Sequence, residues 1–362
     1  MKYFSAFSGI GGFEIGIQRA FDKQLAKEQQ DWQRRDRIIN KMGSDVLSTS
    51  GEPPLCVGYS EIDKYATKVY ERKFNGHKNY GDITKINANG LPDFDFLVGG
   101  FPCQAFSIAG KRGGFSDTRG TLFFDLARIL RSKRPRLFVF ENVKGLLSHD
   151  GGRTFKTIVQ TIDELGYDCQ WQVLNSKNHG VPQNRERIII VGHLRGTTRP
   201  QVFPITGSGE QTSKSVEVAG TLETDGWEKR FEQIRRVHST DGISPTIPTA
   251  QGGGVMTKIS VIAAQRGRYN DDGIIEQQLE PRFDGLSNTL TAVQKDNMLY
   301  SPKIRRLTPM ECERLQGFPD NWTKFGVGDE PISDSQRYKM CGNAVTTNVI
   351  QAVFEKIFDE VR

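Results

Sequence analysis

Short hydrophobic runs alternate with amphipathic segments through the first half of the chain. The runs are bounded by turn residues or charges, as expected for buried strands, and the segments between them have helical spacing. This alternation predicts a parallel, doubly wound α/β sheet with helices on both faces. The predicted strands are residues 3–6, 55–59, 94–98, 137–140 and 188–191, and the predicted helices are 15–21, 63–74, 121–132 and 155–165.

Two further segments have helical character. Apolar residues near the C-terminal end fall on one helical stripe, so we expect this helix to pack against the first-half sheet. Residues 23–41 are charged and rich in glutamine without a strong apolar stripe, which indicates a solvated helical insertion. The C-terminal stripe consists of Val345, Val349, Val353, Phe354 and Ile357.

Beyond Arg195 the chain changes to threonine, serine, glycine and proline in short runs, up to about Tyr300. This pattern predicts a second, smaller, irregular β-rich domain. Segments 242–251 and 285–294 resemble each other, but two copies are too few for a solenoid. The predicted domains are residues 1–195 plus 340–362, and residues 196–339.

Composition indicates a soluble globular protein. Of the 362 residues, 36% are hydrophobic and 25% are charged, which excludes a disordered chain. No apolar run approaches the roughly 20 residues of a membrane span, and Glu14 inside the first apolar stretch argues against a secretory signal. We therefore expect a cytoplasmic protein without membrane contact.

Five cysteines are scattered along the chain without a C-x-x-C pair, and the five histidines lack the spacing of metal ligands. Such cysteines indicate neither a disulfide framework nor a zinc site. We therefore expect free thiols, a reducing compartment and no bound metal. The cysteines are Cys56, Cys103, Cys169, Cys312 and Cys341.

The formal net charge is +6, and one segment carries an equal excess of positive charge. Between Lys111 and Arg136 there are eight basic residues and only two acidic ones, Asp117 and Asp125. Such a cluster is either a solvated surface or a binding surface for a polyanion such as nucleic acid. The charge pattern alone leaves both interpretations open.

The first motif, Phe4-Ser-Ala-Phe-Ser-Gly-Ile-Gly-Gly-Phe13, is a strand followed by a glycine turn and a helix. Glycines there let the backbone approach a ligand at a helix N-terminus. Glu14 stands at the third glycine of G-x-G-x-x-G, so a nucleoside cofactor without a pyrophosphate fits better. Glu61 suits the ribose hydroxyls and Asp82 the adenine amino group of such a cofactor, although either carboxylate could instead be a helix cap.

Two further motifs carry groups suited to catalysis. Gly99-Gly-Phe-Pro-Cys-Gln-Ala-Phe-Ser107 puts Cys103 in a turn at a strand end, where open α/β sheets bind ligands and the adjacent basic segment could stabilise a thiolate. In Phe138-Val-Phe-Glu-Asn-Val143, Glu141 ends a buried strand. A buried carboxyl can hold a proton and donate it to a ring nitrogen.

The motif Gln183-Asn-Arg-Glu-Arg187 places two arginines on one side of an extended segment. They could bind a base carbonyl and phosphates, or they could pair with Glu141 and Glu186. Two later motifs complete the set: Arg305-Arg-Leu-Thr-Pro-Met-Glu-Cys-Glu-Arg-Leu-Gln-Gly-Phe-Pro319 and Gly342-Asn-Ala-Val345.

These motifs, in this order, resemble those of the DNA (cytosine-5)-methyltransferases of bacterial or phage type. The P-C-Q, E-N-V and Q-x-R-x-R signatures all occur in the family order, and the resemblance covers roughly residues 1–20, 57–195 and 301–362. It implies a Rossmann-like S-adenosylmethionine-dependent methyltransferase sheet. The implied reaction transfers a methyl group to carbon 5 of a flipped cytosine through a covalent cysteine adduct.

The resemblance also implies a role for each matching residue. Cys103 would be the nucleophile, Glu141 would hold the ring nitrogen and amine of the cytosine, and Arg187 would contact its 2-carbonyl. Arg185 would support the closed catalytic loop. S-adenosylmethionine would lie against Phe7, Gly9, Gly11, Glu61, Ile62, Asp82, Ile83, Asn343 and Val345.

This chain departs from the family pattern at two places. Ile62 stands where an aromatic side chain often stacks on the adenine, and residues 23–54 form a longer stretch than compact bacterial members have there.

The expected partner is double-stranded DNA, bound by a monomer, and a cognate restriction endonuclease could act on the same site. A site-specific enzyme must read base edges, and the repeated segments offer hydroxyls and amides for that purpose. Alternatively, the repeats are two similar structural turns. The expected DNA contacts are Gln104, Ser107, Lys111, Arg112 and Arg119, with Thr246, Thr249, Gln251, Thr289 and Gln294 as base readers.

Other functions are less consistent with the sequence. An RNA (cytosine-5)-methyltransferase of the same lineage would lack a large recognition domain such as residues 196–300 supply. A non-catalytic DNA-binding relative is disfavoured by the intact set of Cys103, Glu141 and Arg187. A nicotinamide oxidoreductase is disfavoured by Glu14.

Overall fold

The structure is a computed structural model, which describes residues 1–39, 52–102, 122–207 and 305–360, and between them the strand segments 218–221, 236–238, 244–245, 258–259, 262–269 and 275–282. Side chains are described for residues 1–30, 52–102, 122–207 and 307–360.

A six-stranded sheet forms the centre of the first half of the chain, with strand order β2-β1-β3-β4-β7-β5. Neighbouring strands from β2 to β4 are parallel, whereas β7 is antiparallel to both β4 and β5. The strands are β1 (Lys2–Ala6), β2 (Leu55–Ser60), β3 (Phe96–Gly100), β4 (Leu137–Val143), β5 (Tyr167–Asn175), the short β6 (Gln183–Asn184) and β7 (Glu186–Leu194).

The prediction of a wholly parallel sheet is therefore wrong for β7. The connection from β5 to β7 spans only residues 176–185, which is too short for the crossover that parallel strands need. The sequence also did not predict β5, since its alternate glutamines look like a solvated segment. Gln170 and Gln172 instead bond the backbone of residues 200–205, which runs beside this edge strand.

Helices cover both faces of the sheet, as predicted. One face carries α1 (Gly12–Ile39) and α7 (Thr347–Glu360), and the other carries α3 (Leu122–Lys133) and α4 (Arg153–Glu164). The remaining helices are α2 (Lys64–Lys73), α5 (Pro309–Leu315) and α6 (Asp334–Asn343).

The predicted C-terminal helix is confirmed, although Val345 precedes its first turn. Its apolar stripe packs on the sheet, where the ring centroids of Phe354 and Phe96 are 6.2 Å apart. The predicted helical insertion continues α1 as far as Ile39. Lys23 and Lys27 of this segment are largely exposed and pair with α7, Lys23 with Glu355 at 2.8 Å and Lys27 with Asp359 at 3.3 Å.

Between residues 208 and 306 the described segments are strands, in agreement with the predicted β-rich character of this region. One sheet has the order β14-β11-β9-β8, β12 and β13 form an antiparallel pair, and β10 pairs with β6. The strands are β8 (Val218–Thr221), β9 (Arg236–His238), β10 (Ser244–Pro245), β11 (Lys258–Ile259), β12 (Ile262–Tyr269), β13 (Ile275–Arg282) and β14 (Arg305–Arg306).

The segment from Leu307 to Lys339 packs against the first-half fold. Phe318 and Ile332 share a buried cluster with Ile10 of the glycine turn, and the indole of Trp322 donates to the carbonyl of Ile10 at 2.9 Å. The division into two domains remains a prediction, with this segment in contact with the glycine turn.

Cys56, Cys169, Cys312 and Cys341 are free thiols. Within the described residues, no helix is long and apolar enough to cross a membrane, and no cluster of three or more histidine, cysteine, aspartate or glutamate side chains could hold a metal ion.

Candidate active site

The glycine turn between β1 and α1 lies at the carboxyl edge of the sheet. Phe7, Gly9 and Gly11 have φ values of 53°, 57° and 89°, in the left-handed region that residues other than glycine rarely adopt. A Cβ on Gly11 would lie 2.2 Å from the ring of Phe74, so only glycine fits there. The backbone of this turn is therefore fixed by its own sequence.

Glu61 follows β2 and binds the glycine turn directly. One carboxylate oxygen accepts the Gly9 N–H at 2.9 Å, and the other accepts the N–H groups of Ile62 and Asp63, both at 2.8 Å. The cap of α2 is Asp63, which accepts from Tyr65 and Ala66. The side chain of Ile62 is 75% exposed beside this corner, an unusual position for a large apolar group.

Asp82 lies at the next connection along the same edge. It caps the short 3₁₀ turn Ile83–Lys85 by accepting from the N–H of Thr84 at 3.0 Å and from its hydroxyl at 2.8 Å. The hydrogen bonds from Thr84 hold the pKa of Asp82 below its usual value. The sequence allowed Asp82 to be either a cofactor contact or a helix cap, and the structure shows that it caps a 3₁₀ turn with its carboxylate at the surface.

Glu141 and Arg187 form an ion pair on the other half of the edge. Glu141 Oε1 lies 3.0 Å from Arg187 Nε, and the two side chains are 12% and 16% exposed. Gly100 pairs with Glu141 in the register of β3 and β4, and a Cβ there would lie 3.2 Å from Glu141 Oε2. Of the two alternatives for Arg187, pairing with Glu141 is the one observed, while Glu186 pairs with Lys144.

Asn142 anchors the start of the cysteine motif. Its buried side chain donates to the carbonyl of Phe101 at 2.9 Å, two residues before Cys103. Sequence reasoning did not single out Asn142, although it is the central residue of the E-N-V signature. Cys103, Gln104, Ser107, Lys111, Arg112 and Arg119 lie outside the described residues.

Arg185 links the two halves of the edge. Its Nη2 donates to the carbonyls of Gly342 and Ala344 at 3.1 and 2.9 Å, and burial lowers the pKa of its guanidinium to about 9. Asn343 is exposed between these carbonyls, and Val345 lies against Gly12, where a Cβ would be 2.6 Å from it. Within the described residues, Arg185 therefore holds the Gly342–Val345 segment, and its predicted support of the catalytic loop involves residues outside that part of the chain.

Three of the eight basic residues between Lys111 and Arg136 bind backbone carbonyls of the same chain. Arg128 donates to the carbonyls of Ile83, at 2.7 Å, and Ile86. Lys133 donates to Leu91 at 2.9 Å and Arg134 to Leu165 at 3.4 Å. Arg128, Lys133 and Arg134 thus bind backbone carbonyls, whereas the predicted DNA contacts of this segment, Lys111, Arg112 and Arg119, lie outside the described residues.

Comparison with known proteins decides the family. The family model described as C-5 cytosine-specific DNA methylase matches residues 1–359. The chain belongs to this family. It is therefore a DNA (cytosine-5)-methyltransferase, and the resemblance found in its motifs is confirmed.

Several known proteins are similar to this methyltransferase, among them the following two relatives and one solved structure. The chain is 39% identical over 311 residues to the Type II methyltransferase M1.ScrFI of Lactococcus lactis subsp. cremoris, covering 83% of this chain and 71% of that protein. It is 36% identical over 370 residues to the Type II methyltransferase M.HpaII of Haemophilus parainfluenzae, covering 99% and 89%. The structure of Entamoeba histolytica methyltransferase EhMeth matches with a TM-score of 0.61 at 16% identity, over 100% of this chain and 99% of that one, which supports the fold.

The base-reading residues predicted for the methyltransferase, Thr246, Thr249, Gln251, Thr289 and Gln294, lie outside the described residues. The described start of the first repeat is β10, whose Ser244 and Pro245 pair with Gln183 and Asn184 of the arginine motif. The first repeat thus begins beside the strand that leads to Arg185 and Arg187.

Proposed function

We propose that this methyltransferase acts on carbon 5 of a flipped cytosine in double-stranded DNA, through a covalent adduct with Cys103 and with S-adenosylmethionine as methyl donor. The observation that carries the proposal is the ion pair of Glu141 and Arg187, next to Gly100 and to the anchored Phe101–Pro102 segment. This arrangement offers a carboxyl and a guanidinium to one edge of a base at the point where the chain enters the cysteine motif.

The residues of the glycine turn fit the cofactor. A Cβ on Gly9 would have no atom within 4 Å, so this part of the turn is open to a ligand. The exposed side chain of Ile62 offers an apolar surface to a flat ring, and Glu61 and Asp82 border it. Bound S-adenosylmethionine supplies the methyl group. The residues that would hold it are Phe7, Gly9, Gly11, Glu61, Ile62, Asp82, Ile83, Asn343 and Val345.

The reaction requires a thiolate because carbon 5 of cytosine is a poor nucleophile until a nucleophile adds to carbon 6. The sulfur of Cys103 forms this bond, while Glu141 stabilises the charge that develops at ring nitrogen 3 and Arg187 contacts the 2-carbonyl. After carbon 5 has received the methyl group it loses its proton, and the released electron pair expels Cys103 as a thiolate. Because neither ring carbon is accessible within a duplex, the base must leave the stack first.

The other cysteines are poor candidates for this thiolate. Burial raises the pKa of the Cys56 and Cys312 thiols to about 12 and that of Cys169 to about 11. The pKa of Cys341 is also raised by burial. These four thiols remain protonated near pH 7, and the thiolate is the reactive form.

Trapping on DNA tests the adduct. In the presence of S-adenosylmethionine, a target 5-fluorocytosine in duplex DNA can be methylated but has no proton on carbon 5 to lose, so the wild-type protein should stay covalently attached in a denaturing gel. Cys103→Ser should abolish both turnover and trapping, because the hydroxyl is a much weaker nucleophile. The matched control is Cys169→Ser, which removes a partly buried thiol and should trap like the wild type. Trapping by Cys103→Ser would refute the assignment.

The similarity to Type II methyltransferases supports a further proposal, that the protein modifies a specific sequence in a bacterial cytoplasm as part of a restriction–modification system. Sequencing of methylated cytosines in DNA from cells that express the protein would identify the sequence. An endonuclease that cleaves this sequence only when it is unmethylated would be the cognate partner. Methylation without sequence preference would contradict the proposal.

A further inference from the structure

The connection between β2 and β3 contains a side chain that joins the two acidic corners of the proposed cofactor site. The side-chain oxygen of Asn79 accepts from the N–H of Gly81 at 2.8 Å and from the N–H of Glu61 at 3.3 Å, and its amide donates to the carbonyl of Glu61 at 3.2 Å. One side chain thus bonds both backbone groups of Glu61 and the residue that precedes Asp82.

A second side chain holds the same connection from the opposite side. Arg128 of α3 reaches the carbonyls of Ile83 and Ile86, at the two ends of the 3₁₀ turn that Asp82 caps. Its Nη2 also bonds Asp125 at 3.1 Å, which orients the guanidinium. The side chains of Ile83 and Ile86 are buried in the core cluster that contains α3. The turn is therefore fixed to α3 by apolar packing and by Arg128.

The Asp82–Ile83 backbone consequently lies between two attachments. Asn79 attaches it to the end of β2, with further support from the hydroxyl of Ser60, which donates to the Gly81 carbonyl at 2.6 Å. Arg128 attaches it to α3. Neither Asn79 nor Arg128 is among the residues proposed to contact the cofactor or the cytosine.

We propose that Asn79 and Arg128 are positioning residues that fix the distance between Glu61 and the Asp82–Ile83 backbone, and thereby shape the site for the adenosine part of the cofactor. This inference rests on the proposed function, in which Glu61 contacts the ribose and Asp82 the adenine. A rigid ligand with two contact points binds tightly only when both points are already at the right separation, because ordering them on binding costs free energy.

Calorimetric titration with S-adenosylhomocysteine, without DNA, tests the inference on the full chain. Asn79→Ala and Arg128→Ala should each raise the dissociation constant by about tenfold, the effect of one or two lost hydrogen bonds. Arg128→Lys, which can keep one bond to a carbonyl, should recover part of the loss. In steady state with saturating DNA, KM for S-adenosylmethionine should rise by a larger factor than kcat falls.

The chain offers a matched control for each variant. Asn87→Ala removes a side-chain bond to the N–H of Asn89 (3.1 Å) in the same connection, and Lys133→Ala removes the bond of α3 to the Leu91 carbonyl together with an ion pair to Asp93. Within the described residues, the observed hydrogen bonds and ion pairs of these two side chains go to groups outside residues 81–83. Both controls should bind S-adenosylhomocysteine like the wild type, while their melting temperatures fall by as much as those of the test variants.

The outcomes separate the two proposals. If Glu61→Ala and Asp82→Ala bind S-adenosylhomocysteine as the wild type does, the proposed cofactor site is wrong. If those variants lose binding while Asn79→Ala and Arg128→Ala do not, the positioning inference alone is wrong. If controls and test variants lose affinity equally, the side chains only stabilise the fold, which also overturns the inference. Should Asn79→Ala not fold, Asn79→Ser gives the same comparison.

Discussion

The two halves of the carboxyl edge of the sheet hold their carboxylates in different ways. Glu61, at the end of β2, accepts from three backbone N–H groups, those of Gly9, Ile62 and Asp63. Glu141, near the end of β4, has a single ion-pair partner among the described residues, the guanidinium of Arg187. Both carboxylates lie at the carboxyl ends of strands in the parallel part of the sheet, so strand direction is not the cause of the difference.

The difference shows which half of the site is preorganised. A rotation of the Glu61 side chain would break hydrogen bonds to three backbone N–H groups at once, so this corner is held in place before any ligand arrives. The side chain of Arg187 can rotate and exchange Glu141 for another acceptor without a change of the backbone. Under the proposed function, the cofactor half is rigid, and the base half gives up or shares one ion pair when the cytosine enters.

The largest expected effect is on the base half. Glu141→Gln keeps the shape of the side chain but loses its charge and acidity, so turnover should fall by about 10²- to 10⁴-fold, as is typical of acid–base groups. DNA binding and S-adenosylhomocysteine binding should be retained, because the cofactor half does not depend on Glu141. Single-turnover methylation and DNA titration measure the two effects.

Glu186→Gln is the control for this variant, since Glu186 lies on β7 next to Arg187 and pairs with exposed Lys144. It should methylate at nearly the wild-type rate. If Glu141→Gln also did so, Glu141 would be a structural partner of Arg187 and the comparison of the two halves would lose its functional meaning.

A smaller effect is expected on the cofactor half. In Glu61→Gln, one of the two carboxylate oxygens becomes an NH₂ group that cannot accept from the backbone. Loss of one or two such bonds should weaken S-adenosylhomocysteine binding by about tenfold. The turnover number at saturating cofactor should change less than the affinity, in contrast to Glu141→Gln. A variant of Glu61 that lowers turnover while it binds the cofactor normally would reverse the roles assigned to the halves.

The sequence predicts most strands of the central sheet and several residues at its carboxyl edge. Hydrophobic runs locate β1 to β4 and β7, and the motifs mark Glu61, Glu141 and Arg187 correctly at the carboxyl edge. The direction of β7 is not encoded in its hydrophobic pattern, because a strand buried on both faces looks the same in either direction. The sequence did not predict β5. Its polar residues Gln170 and Gln172 bond the backbone of residues 200–205, and these contacts cannot be predicted from the hydrophobic pattern.

Side-chain partners were predicted less well, for a physical reason. Arg128 belongs to a basic cluster in the sequence, yet it binds carbonyls more than 40 residues away, at Ile83 and Ile86. Asn79 and Asn142 likewise act through backbone groups of other elements. Such contacts depend on which helix face packs on the sheet, and charge counting along the chain does not contain that information.

A third carboxylate, Glu14, differs from both of the others and gives the smallest expected effect. It lies in the first turn of α1, directly after the glycine turn, and is 2% exposed. One oxygen accepts from the hydroxyl of Tyr70 at 2.9 Å, and the other has no hydrogen-bond partner among the described residues. Burial raises the pKa of Glu14 above its usual value, against the opposing hydrogen bonds.

The raised pKa of Glu14 determines how the stability of the folded protein depends on pH. The folded protein keeps the Glu14 proton at a pH where the unfolded chain, with a glutamate pKa of about 4.3, has lost it. The contribution of protonated Glu14 to stability is therefore fully present below the pKa of the unfolded chain. It is lost as the pH rises through the pKa of Glu14 in the folded protein. Glu14→Gln keeps the acceptor for Tyr70 and carries no charge at any pH. It should melt about 2 °C above the wild type at pH 8, a difference of roughly 1 kcal/mol, and the gap should close toward pH 5.

Thermal unfolding of both proteins across this range measures the gap. The neighbouring groups Tyr3, Cys56 and Tyr70 have pKa values raised by burial and stay neutral there, so the difference between the two proteins reports Glu14. Glu164→Gln, which removes an exposed carboxylate at the end of α4, is the control for a general change of charge. A gap independent of pH would mean that Glu14 is ionised throughout, and that the first turn of α1 contains a buried charge.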